Sequence, residues 1–407
     1  MRSPRRPIAA LFLAAIAAAG VGCREETPSP TEPESAPAAA LTGTEAAALT
    51  FVQVSAGVEH ACGVTTDGKA WCWGANEFGE LGIPPADSPD PCSSRPCSWR
   101  PVAVSGGLRL RHVNAGPQFT CGVTTDDLVF CWGRNDAGQL GTGSTAPASS
   151  TPGKVAGNRR YRQVRAGSGN MACAITSVRT AFCWGGGRLG NGTNSSRTPV
   201  RVSDDALAWA RLTVGANYVC GITTADQAWC WGVNNRGQLG NGTTAASATP
   251  VRSAEGFTVA QIDAGSSHTC AVLVDGRAFC WGDGVGVGDG SGGGRHLNPT
   301  PVAGTRTWDN VSSGSHISCG VTAAGRGFCW GLGVGGGLGN GSTADKFKPA
   351  RVSGNLDFVA ISAGFVFACG VAEGGQAWCW GDNSNGQLGD GSGINRLVPA
   401  PVAAPAS

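Results

Sequence analysis

Charged residues are scarce in this sequence. Only 14% of its 407 residues are Asp, Glu, Lys or Arg, and the formal net charge is +2. The Lys and Arg residues are scattered, so no basic stripe is present to hold the phosphates of DNA or RNA or an anionic lipid surface. The sequence therefore predicts no nucleic-acid partner.

Groups that carry catalysis are also scarce. The chain has five His and 28 carboxylates, and several carboxylates lie near the N-terminus or in turns such as Asp67-Gly68. A hydrolase or lyase needs acids, bases or metal ligands that converge on one face, and no Ser-His-Asp or paired-Glu set can be proposed from the spacing. We expect a protein that is not an enzyme and holds no cofactor or metal; a hydrolase or lyase of the cell envelope is the alternative.

Long apolar runs are absent beyond one segment, Ile8 to Ala19, which is too short to span a bilayer. It follows Arg2, Arg5 and Arg6, and a basic segment before a short apolar run is typical of an export signal. The sequence therefore predicts a signal peptide over residues 1–22.

The end of that signal, Gly20-Val21-Gly22-Cys23, resembles the lipobox of bacterial lipoproteins, although that family usually has Leu or a similar residue where Gly20 stands. The resemblance implies that Cys23 becomes a lipidated N-terminus and anchors the protein to the outer membrane or cell surface. In the alternative, an ordinary secretory cut leaves Cys23 as an odd thiol and the protein is secreted. Residues 23–48 are rich in Pro, Ala, Glu and Thr, and we expect a disordered tether.

Glycine is abundant, at 65 residues, which suits short strands and tight turns in an all-β chain. A pair of cysteines ten positions apart, followed by Trp-Gly, occurs seven times: Cys62 with Cys72, Cys121 with Cys131, Cys173 with Cys183, Cys220 with Cys230, Cys270 with Cys280, Cys319 with Cys329 and Cys369 with Cys379. The Trp residues are 59, 52, 47, 50, 49 and 50 positions apart, the length of one four-stranded blade. We therefore predict a seven-bladed β-propeller of four-stranded antiparallel blades over residues 49–407.

Each cysteine pair flanks a predicted β-hairpin. From Cys62 the sequence alternates, breaks at Asp67-Gly68, and alternates again to Cys72. A three-residue loop at Thr66-Asp67-Gly68 sets the two cysteines directly opposite each other, within disulfide reach. We expect one hairpin disulfide per blade, with the cystine on one face and the neighbouring aromatic residues on the other.

This scheme assigns a place to every cysteine of the sequence. Fourteen of the 17 cysteines lie in the seven hairpins, Cys92 and Cys97 form an eighth pair in a loop, and Cys23 is left at the predicted cut site. Zinc sites are the alternative, but ten-residue spacing across a hairpin does not match the short knuckles of zinc modules, and export favours oxidation.

The segment after Trp-Gly carries a second motif, Asn-x-x-Gly-Gln-Leu-Gly, at Asn135 to Gly141, Asn234 to Gly240 and Asn383 to Gly389, with Glu80 replacing Gln in the first repeat. With the Ala-Gly that introduces most repeats, it resembles the regulator of chromosome condensation repeat. The resemblance covers about residues 49–407 and implies a seven-bladed propeller whose ring is closed by strands from both termini. Leu397 to Val402 is then expected to complete the first blade.

The family resemblance also bears on function. Nuclear members act as guanine-nucleotide exchange factors, but an exported protein does not meet a cytosolic GTPase, and no residues here match an exchange surface. Secreted bacterial propellers of this type, including a β-lactamase inhibitory protein, bind other proteins across one face of the disc. We therefore expect a monomeric propeller that binds a protein partner across one face and contacts the membrane only through its lipid.

The partner-binding candidates are of two kinds. Large residues stand two positions before the first cysteine of each pair, where they are expected to form an exposed rim or to cap the core between blades: His60, Phe119, Met171, Tyr218, His268, Ile317 and Phe367. The histidines at this point, with His316, also permit a metal or catalytic hypothesis, although no carboxylate recurs beside them.

The second candidate is the loop of the first repeat, from Ile83 to Pro101, the longest insertion. It is rich in Pro, contains the pair Cys92 and Cys97, and carries Arg95, Trp99 and Arg100. A rigid loop with Trp and Arg at its tip is a good recognition element because little entropy is lost on binding. A loop built only to resist proteases is the alternative.

Overall fold

The computed structural model describes residues 49–92, 95–203 and 206–405. The predicted signal peptide (1–22) and the whole predicted tether (23–48), with the lipidation site Cys23, lie outside the described residues. Among the residues described, no helix has the length and apolar character needed to cross a membrane.

Seven antiparallel sheets form the blades, and within each sheet the strands lie side by side in the order of the chain, apart from one reversal at the outer edge of the first. The first strand of every blade lines a central cavity and packs against the first strand of its neighbours. In blades 1 to 4 the strands are β1 Phe51–Ala56, β2 His60–Thr65, β3 Ala70–Ala75, β4 Asp90–Cys92, β5 Arg95–Ala103; β6 Leu110–Ala115, β7 Phe119–Thr124, β8 Val129–Arg134, β9 Ala148–Lys154; β10 Tyr161–Ala166, β11 Met171–Thr176, β12 Ala181–Gly186, β13 Ser195–Arg201; and β14 Trp209–Val214, β15 Tyr218–Thr223, β16 Ala228–Gly232, β17 Ser247–Arg252.

Blades 5 to 7 repeat the same order, with β18 Val259–Ala264, β19 His268–Leu273, β20 Ala278–Asp283, β21 Arg295–Pro301; β22 Trp308–Ser313, β23 Ile317–Thr322, β24 Gly327–Gly331, β25 Lys346–Arg351; and β26 Phe358–Ala363, β27 Phe367–Ala372, β28 Ala377–Gly381, β29 Arg396–Pro401. Short 3₁₀ turns occupy Pro85–Asp87, Gly284–Gly286 and Val334–Gly336. The predicted seven-bladed, all-β architecture is confirmed.

The hairpin disulfides are also confirmed. The two cysteines of every pair stand directly opposite each other in the register of the second and third strands of their blade. The Cα atoms of these seven bonded pairs are 4.0 to 4.1 Å apart. In blade order the bonds join Cys62 to Cys72, Cys121 to Cys131, Cys173 to Cys183, Cys220 to Cys230, Cys270 to Cys280, Cys319 to Cys329 and Cys369 to Cys379.

The eighth predicted bond is present as well, between Cys92 and Cys97 across the β4–β5 hairpin. It differs from the other seven in its place. The seven repeated cystines are fully buried between blades, whereas this one belongs to the insertion at the outer edge of the first blade. Every cysteine of the described residues is therefore part of a disulfide.

The core lies between blades, and each junction is built in the same way. The cystine of one blade packs beneath the Trp that follows the second cysteine of the next blade, as Cys62 and Cys72 do beneath Trp132. The same arrangement is found at the other six junctions, including the one where Trp73 covers the cystine of the last blade. The predicted alternation of cystine and aromatic faces is therefore found at every junction.

The loop after Trp-Gly fastens neighbouring blades to each other. The indole N–H of Trp132 donates to the carbonyl of Glu80 at 2.9 Å, and Trp73 closes the ring by donating to the carbonyl of Gln387 at 3.0 Å. The glycine that ends the motif packs directly against the same indole. A Cβ on Gly389 would lie only 2.7 Å from Trp73, so no larger residue fits without a shift.

Repeats in which this motif is degenerate keep part of the contact. In repeats 5 and 6 the carbonyls of Gly286 and Gly337 still accept from the indoles of the following blades. After repeat 3 the glycine contact alone persists: a Cβ on Gly190 would meet Trp231 at 2.8 Å, but the indole N–H of Trp231 has no partner among the described residues. The packing of glycine under Trp is thus more constant than the hydrogen bond.

A second link joins the blades at the centre. The fifth residue of each inner strand faces the cavity, and at six of the seven junctions its side-chain oxygen accepts the N–H of the sixth residue of the next inner strand; we call this contact the inner clasp. The acceptors are Ser55, Asn114, Thr213, Asp263, Ser312 and Ser362, at 2.6 to 3.1 Å. The clasp converts a repeated polar position into a nearly continuous ring.

One expectation about ring closure is wrong. The segment Leu397 to Val402 does not complete the first blade, because β29 pairs with β28 of the last blade, with Trp378 opposite Pro401. The outer position of the first blade is already filled by β5. Both terminal blades are therefore complete, and the ring closes through contacts between them rather than through a shared sheet.

Candidate functional site

The two faces of the disc carry different segments because successive strands run in opposite directions. We call loop face the side that carries the turn between the first and second strands of each blade and the loop after Trp-Gly. The opposite side, the hairpin face, carries the turns between the second and third strands and the links between blades. The turn after Ala-Gly and the long loop after Trp-Gly therefore share one face of the disc.

The predicted rim is not on the surface. His60, Phe119, Met171, Tyr218, His268, Ile317 and Phe367 are only 0 to 1% exposed, so the expectation of exposed anchors is wrong and the alternative, that these residues cap the core between blades, is confirmed. Each begins the second strand on the same face as the cystine, which is turned towards the next blade.

The two histidines of this set make polar contacts across a junction, as does Tyr218, whose hydroxyl donates to the carbonyl of His268 at 2.5 Å. The Nε2 atom of His60 lies 2.8 Å from Oγ1 of Thr120, and Nε2 of His268 lies 2.7 Å from Oγ of Ser318. Burial lowers the pKa of His60 to about 3 and that of His268 to about 4, so both are neutral at physiological pH. Neither is available as a surface ligand.

The candidate residues in the insertion of the first blade do not share one environment in the structure. Arg95 is exposed on the loop face, where its guanidinium lies 3.7 Å from Glu59 and 3.8 Å from Glu77. Trp99 is half-buried at the junction with the last blade: it covers Gly386, and its indole N–H donates to Sγ of Cys92 at 2.9 Å. Of this group, Arg95 is the residue that remains presented to a partner.

Arg100 is exposed but is tied to the C-terminal segment, because its Nη1 donates to the carbonyl of Ala404 at 3.2 Å. Trp99 and Arg100 therefore connect the first blade to the last, a role that the sequence did not indicate. A partner surface that includes them would have to use groups that already hold the ring together.

The loop face presents an aromatic residue that sequence reasoning missed. Phe365 is 39% exposed and packs edge-on against His316, with ring centroids 5.4 Å apart. Nearby in the ring, the guanidinium of Arg134 lies 5.4 Å from the ring of Phe78. The signal was present: Phe365 stands directly after Ala-Gly, where the other repeats have Val, Pro, Ser or Ala.

The centre of the disc holds a polar cavity of about 400 Å³. Its wall is formed by the inner strands, and residues of the loop-face turns, among them Val58, Ser168 and Ser315, also line it. The cavity wall contains two charged residues, Arg165 and Asp263, and the imidazole of His112.

The pKa values of the ionisable side chains in the cavity are shifted from their ordinary values. Burial, with the nearby charges of Arg165 and Arg111, holds the pKa of His112 well below its ordinary value, so this imidazole is neutral. Burial lowers the pKa of Arg165 and raises that of Asp263, and each is partly offset by the opposite charge of the other. Within the described residues, no group of three or more His, Cys, Asp or Glu is placed to hold a metal ion.

The models of known families that match this chain are all of the RCC1 type. The family model for the RCC1-like domain matches residues 18–369. Models for the regulator of chromosome condensation (RCC1) repeat match residues 358–387 and 374–407. The matches cover most of the ring and reach through its last blade.

Curated relatives match only part of the chain. The ultraviolet-B receptor UVR8 of Arabidopsis thaliana is 32% identical over 191 residues, which are 45% of this chain and 39% of the relative. The probable E3 ubiquitin-protein ligase HERC6 of Homo sapiens is 31% identical over 153 residues, 36% of this chain and 14% of that protein. The matched part thus spans less than two fifths of either relative.

Solved structures confirm the architecture. Human WBSCR16 superposes with a TM-score of 0.72 at 19% identity and covers 80% of this chain and 88% of its own. Yeast RCC1 (Prp20), solved bound to Kap60, superposes with a TM-score of 0.71 at 20% identity and covers 91% of both chains. At these identities the likeness establishes the fold alone.

Proposed function

Because the chain belongs to the family of RCC1-like propellers, we propose that it is a non-enzymatic module that binds a protein partner across its loop face. The family supplies the scaffold, and the side chains of this chain supply the surface. We propose further that the protein acts as a monomer outside the cytoplasm, held to the envelope by lipid on Cys23.

One observation carries the binding proposal. The loop face gathers side chains from blades 6, 7, 1 and 2, which are consecutive around the ring. Three are exposed (His316, Phe365 and Arg95) and three are half-buried (Glu59, Phe78 and Arg134), and we call these six residues the partner surface. Aromatic and Arg side chains are the residue types that dominate binding energy in protein interfaces. The blades beneath are rigid, so little ordering entropy opposes binding.

The envelope proposal is supported by the cysteines. Eight disulfides bind 16 of the 17 cysteines, and such a disulfide-rich body is maintained in an oxidising compartment. The remaining one, Cys23, stands where the sequence resembles a lipobox. Mass analysis of the mature N-terminus should find a lipid-modified cysteine, and Cys23→Ala should move the protein from the membrane to the soluble fraction.

The binding proposal is tested by affinity capture from native envelope with the full chain. Phe365→Asp places a charge at the centre of the partner surface and should reduce recovery of the captured partner at least tenfold. Val178→Asp is the matched control, since Val178 is 79% exposed on the hairpin face. Equal recovery by Phe365→Asp and the wild type, or loss with Val178→Asp alone, would contradict a partner on the loop face.

A further inference from the structure

One junction of the ring lacks the inner clasp. At the fifth position of its inner strand, blade 3 carries Arg165, and a guanidinium has no acceptor atom. The residue that would donate there is Val214, on the inner strand of blade 4; among the described residues its N–H has no acceptor from blade 3. The cavity wall therefore contains a backbone N–H for which blade 3 supplies no acceptor, together with the cation of blade 3.

The guanidinium of Arg165 is itself poorly satisfied. Its Nη1 lies 2.6 Å from Nε2 of His112, and no carboxylate within the described part of the chain lies within 4.0 Å to form an ion pair with it. The other buried nitrogen of His112, Nδ1, has no partner among these residues. A guanidinium has five N–H donors in a fork that matches a carboxylate, so most of this donor set is free.

The carboxylate of the cavity already accepts hydrogen bonds from neighbouring residues. Asp263 accepts from Oγ1 of Thr213 at 2.9 Å, from the N–H of Ser313 at 2.8 Å and from Oγ of Ser312 at 3.3 Å. Arg211, on the next inner strand to Arg165, adds a second positive charge nearby. With His112 neutral, the charges of Arg165 and Asp263 balance within the cavity wall, and the nearby Arg211 adds one positive charge outside it.

We propose that the loop-face mouth of the central cavity is a carboxylate-binding site, in which the guanidinium of Arg165 and the N–H of Val214 bind the oxygens of the ligand. The carboxylate takes the place of the acceptor that the inner clasp lacks at this junction, and the bidentate geometry of Arg supplies the charge-assisted bonds. The ligand is either a free small carboxylate or the C-terminal carboxylate of a peptide chain. The site does not depend on the proposed partner surface, since it is probed with small molecules.

The test uses the full chain, isothermal titration calorimetry and three probes: acetate, trialanine with a free C-terminus, and trialanine amide. Arg165→Ser is the informative variant, because Ser occupies this position in blades 1, 6 and 7 and accepts the clasp there. It should weaken carboxylate binding at least tenfold and raise the Tm of the unliganded protein, since the clasp is restored. Arg162→Ser removes the same charge from the same strand at the hairpin-face end and should do neither.

The outcomes separate the two sources. Equal binding of acetate and free trialanine assigns a small-carboxylate site, whereas tighter binding of free trialanine with none of the amide assigns a site for a peptide C-terminus. The proposal is overturned if no probe binds the wild type, if acid and amide bind equally, or if Arg165→Ser keeps its affinity. A lower Tm for Arg165→Ser would also overturn it, because Arg165 would then stabilise the junction itself.

Discussion

At the scale of single residues, Glu80 is an ionisable group buried within the loop motif. It replaces the Gln of the loop motif and is 1% exposed, with Oε2 accepting the N–H of Phe78 at 2.7 Å. Gln139 uses its amide oxygen in the same way at 2.9 Å from the N–H of Ala137. Burial, with lesser repulsion from Glu77 and Glu59, raises the pKa of Glu80 to about 7.

This pKa makes the stability of the first junction depend on pH. The folded state binds the Glu80 proton more tightly than the unfolded chain, so its contribution is fully present below pH 4.5 and is lost as pH rises through about 7. Glu80→Gln should remove this loss and stabilise the protein at pH 8 by up to about 3 kcal/mol. Urea unfolding at pH 5 and pH 8 measures the difference.

Two further variants are controls for the predicted pH dependence at Glu80. Gln139→Glu places a carboxylate at the equivalent position of the second blade and should introduce the same fall in stability towards pH 8. Glu255→Gln, at an exposed position, should leave the pH dependence unchanged. Identical pH profiles for Glu80→Gln and the wild type would mean that the Glu80 carboxyl is solvated and unperturbed.

The residue scale also shows where sequence reasoning failed. His60 and Cys62 are two positions apart on one strand, so they share a face. Since the cystine was expected to face a neighbouring blade, the same periodicity places His60 in the core, and the exposed rim was inconsistent with it. Phe365 was not predicted for a different reason: it lies in a turn, where side chains follow no periodic pattern.

At the scale of elements, the hairpin disulfide is the repeated unit of stability. Cys121 and Cys131 are fully buried and lie under Trp184 of the next blade. Replacing both with Ala should reduce the free energy of unfolding by about 2 to 3 kcal/mol, because the unfolded chain regains the entropy of a ten-residue loop. Denaturant unfolding of the double variant gives the value.

The equivalent change in the sixth blade, at Cys319 and Cys329, is a matched comparison because its register and its Trp380 neighbour are the same. Both double variants should lose similar amounts. A loss near zero in either would show that the antiparallel ladder and the Trp hold the hairpin without the covalent bond.

The elements themselves were predictable because their signals are local. Alternation, Asp-Gly turns and cysteine spacing define each hairpin within about a dozen residues of chain. The pairing of Leu397 to Val402 was not predictable in the same way, since a strand of this type forms the outer edge of several blades and its own sequence does not say which one. That assignment depends on β5 occupying the first blade.

At the scale of the whole molecule, the closing junction differs from the other six in one respect. Neighbouring blades elsewhere are joined by the chain, whereas the first and last blades are held by non-covalent contacts. These include the N–H of Phe51 donating to the carbonyl of Gly375 at 2.8 Å, and the carbonyl of Trp99 accepting the N–H of Gly391 at 2.9 Å. The disulfide-bonded insertion that carries Trp99 thus strengthens the junction that has no peptide link.

Trp99→Ala should therefore open the ring locally before the protein unfolds. Without the indole over Gly386, the closing junction loses apolar contact that no covalent connection compensates, so amide hydrogens of blades 1 and 7 should exchange at least tenfold faster. Phe347→Ala is the control, since Phe347 covers Gly292 in the same way at a junction joined by the chain. Hydrogen exchange resolved by blade distinguishes the two, because Phe347→Ala should alter exchange little beyond its own contact. Equal and local effects of both changes would mean that the ring is closed by its inner clasp and Trp-Gly loops alone, and the insertion would then be free to serve a partner.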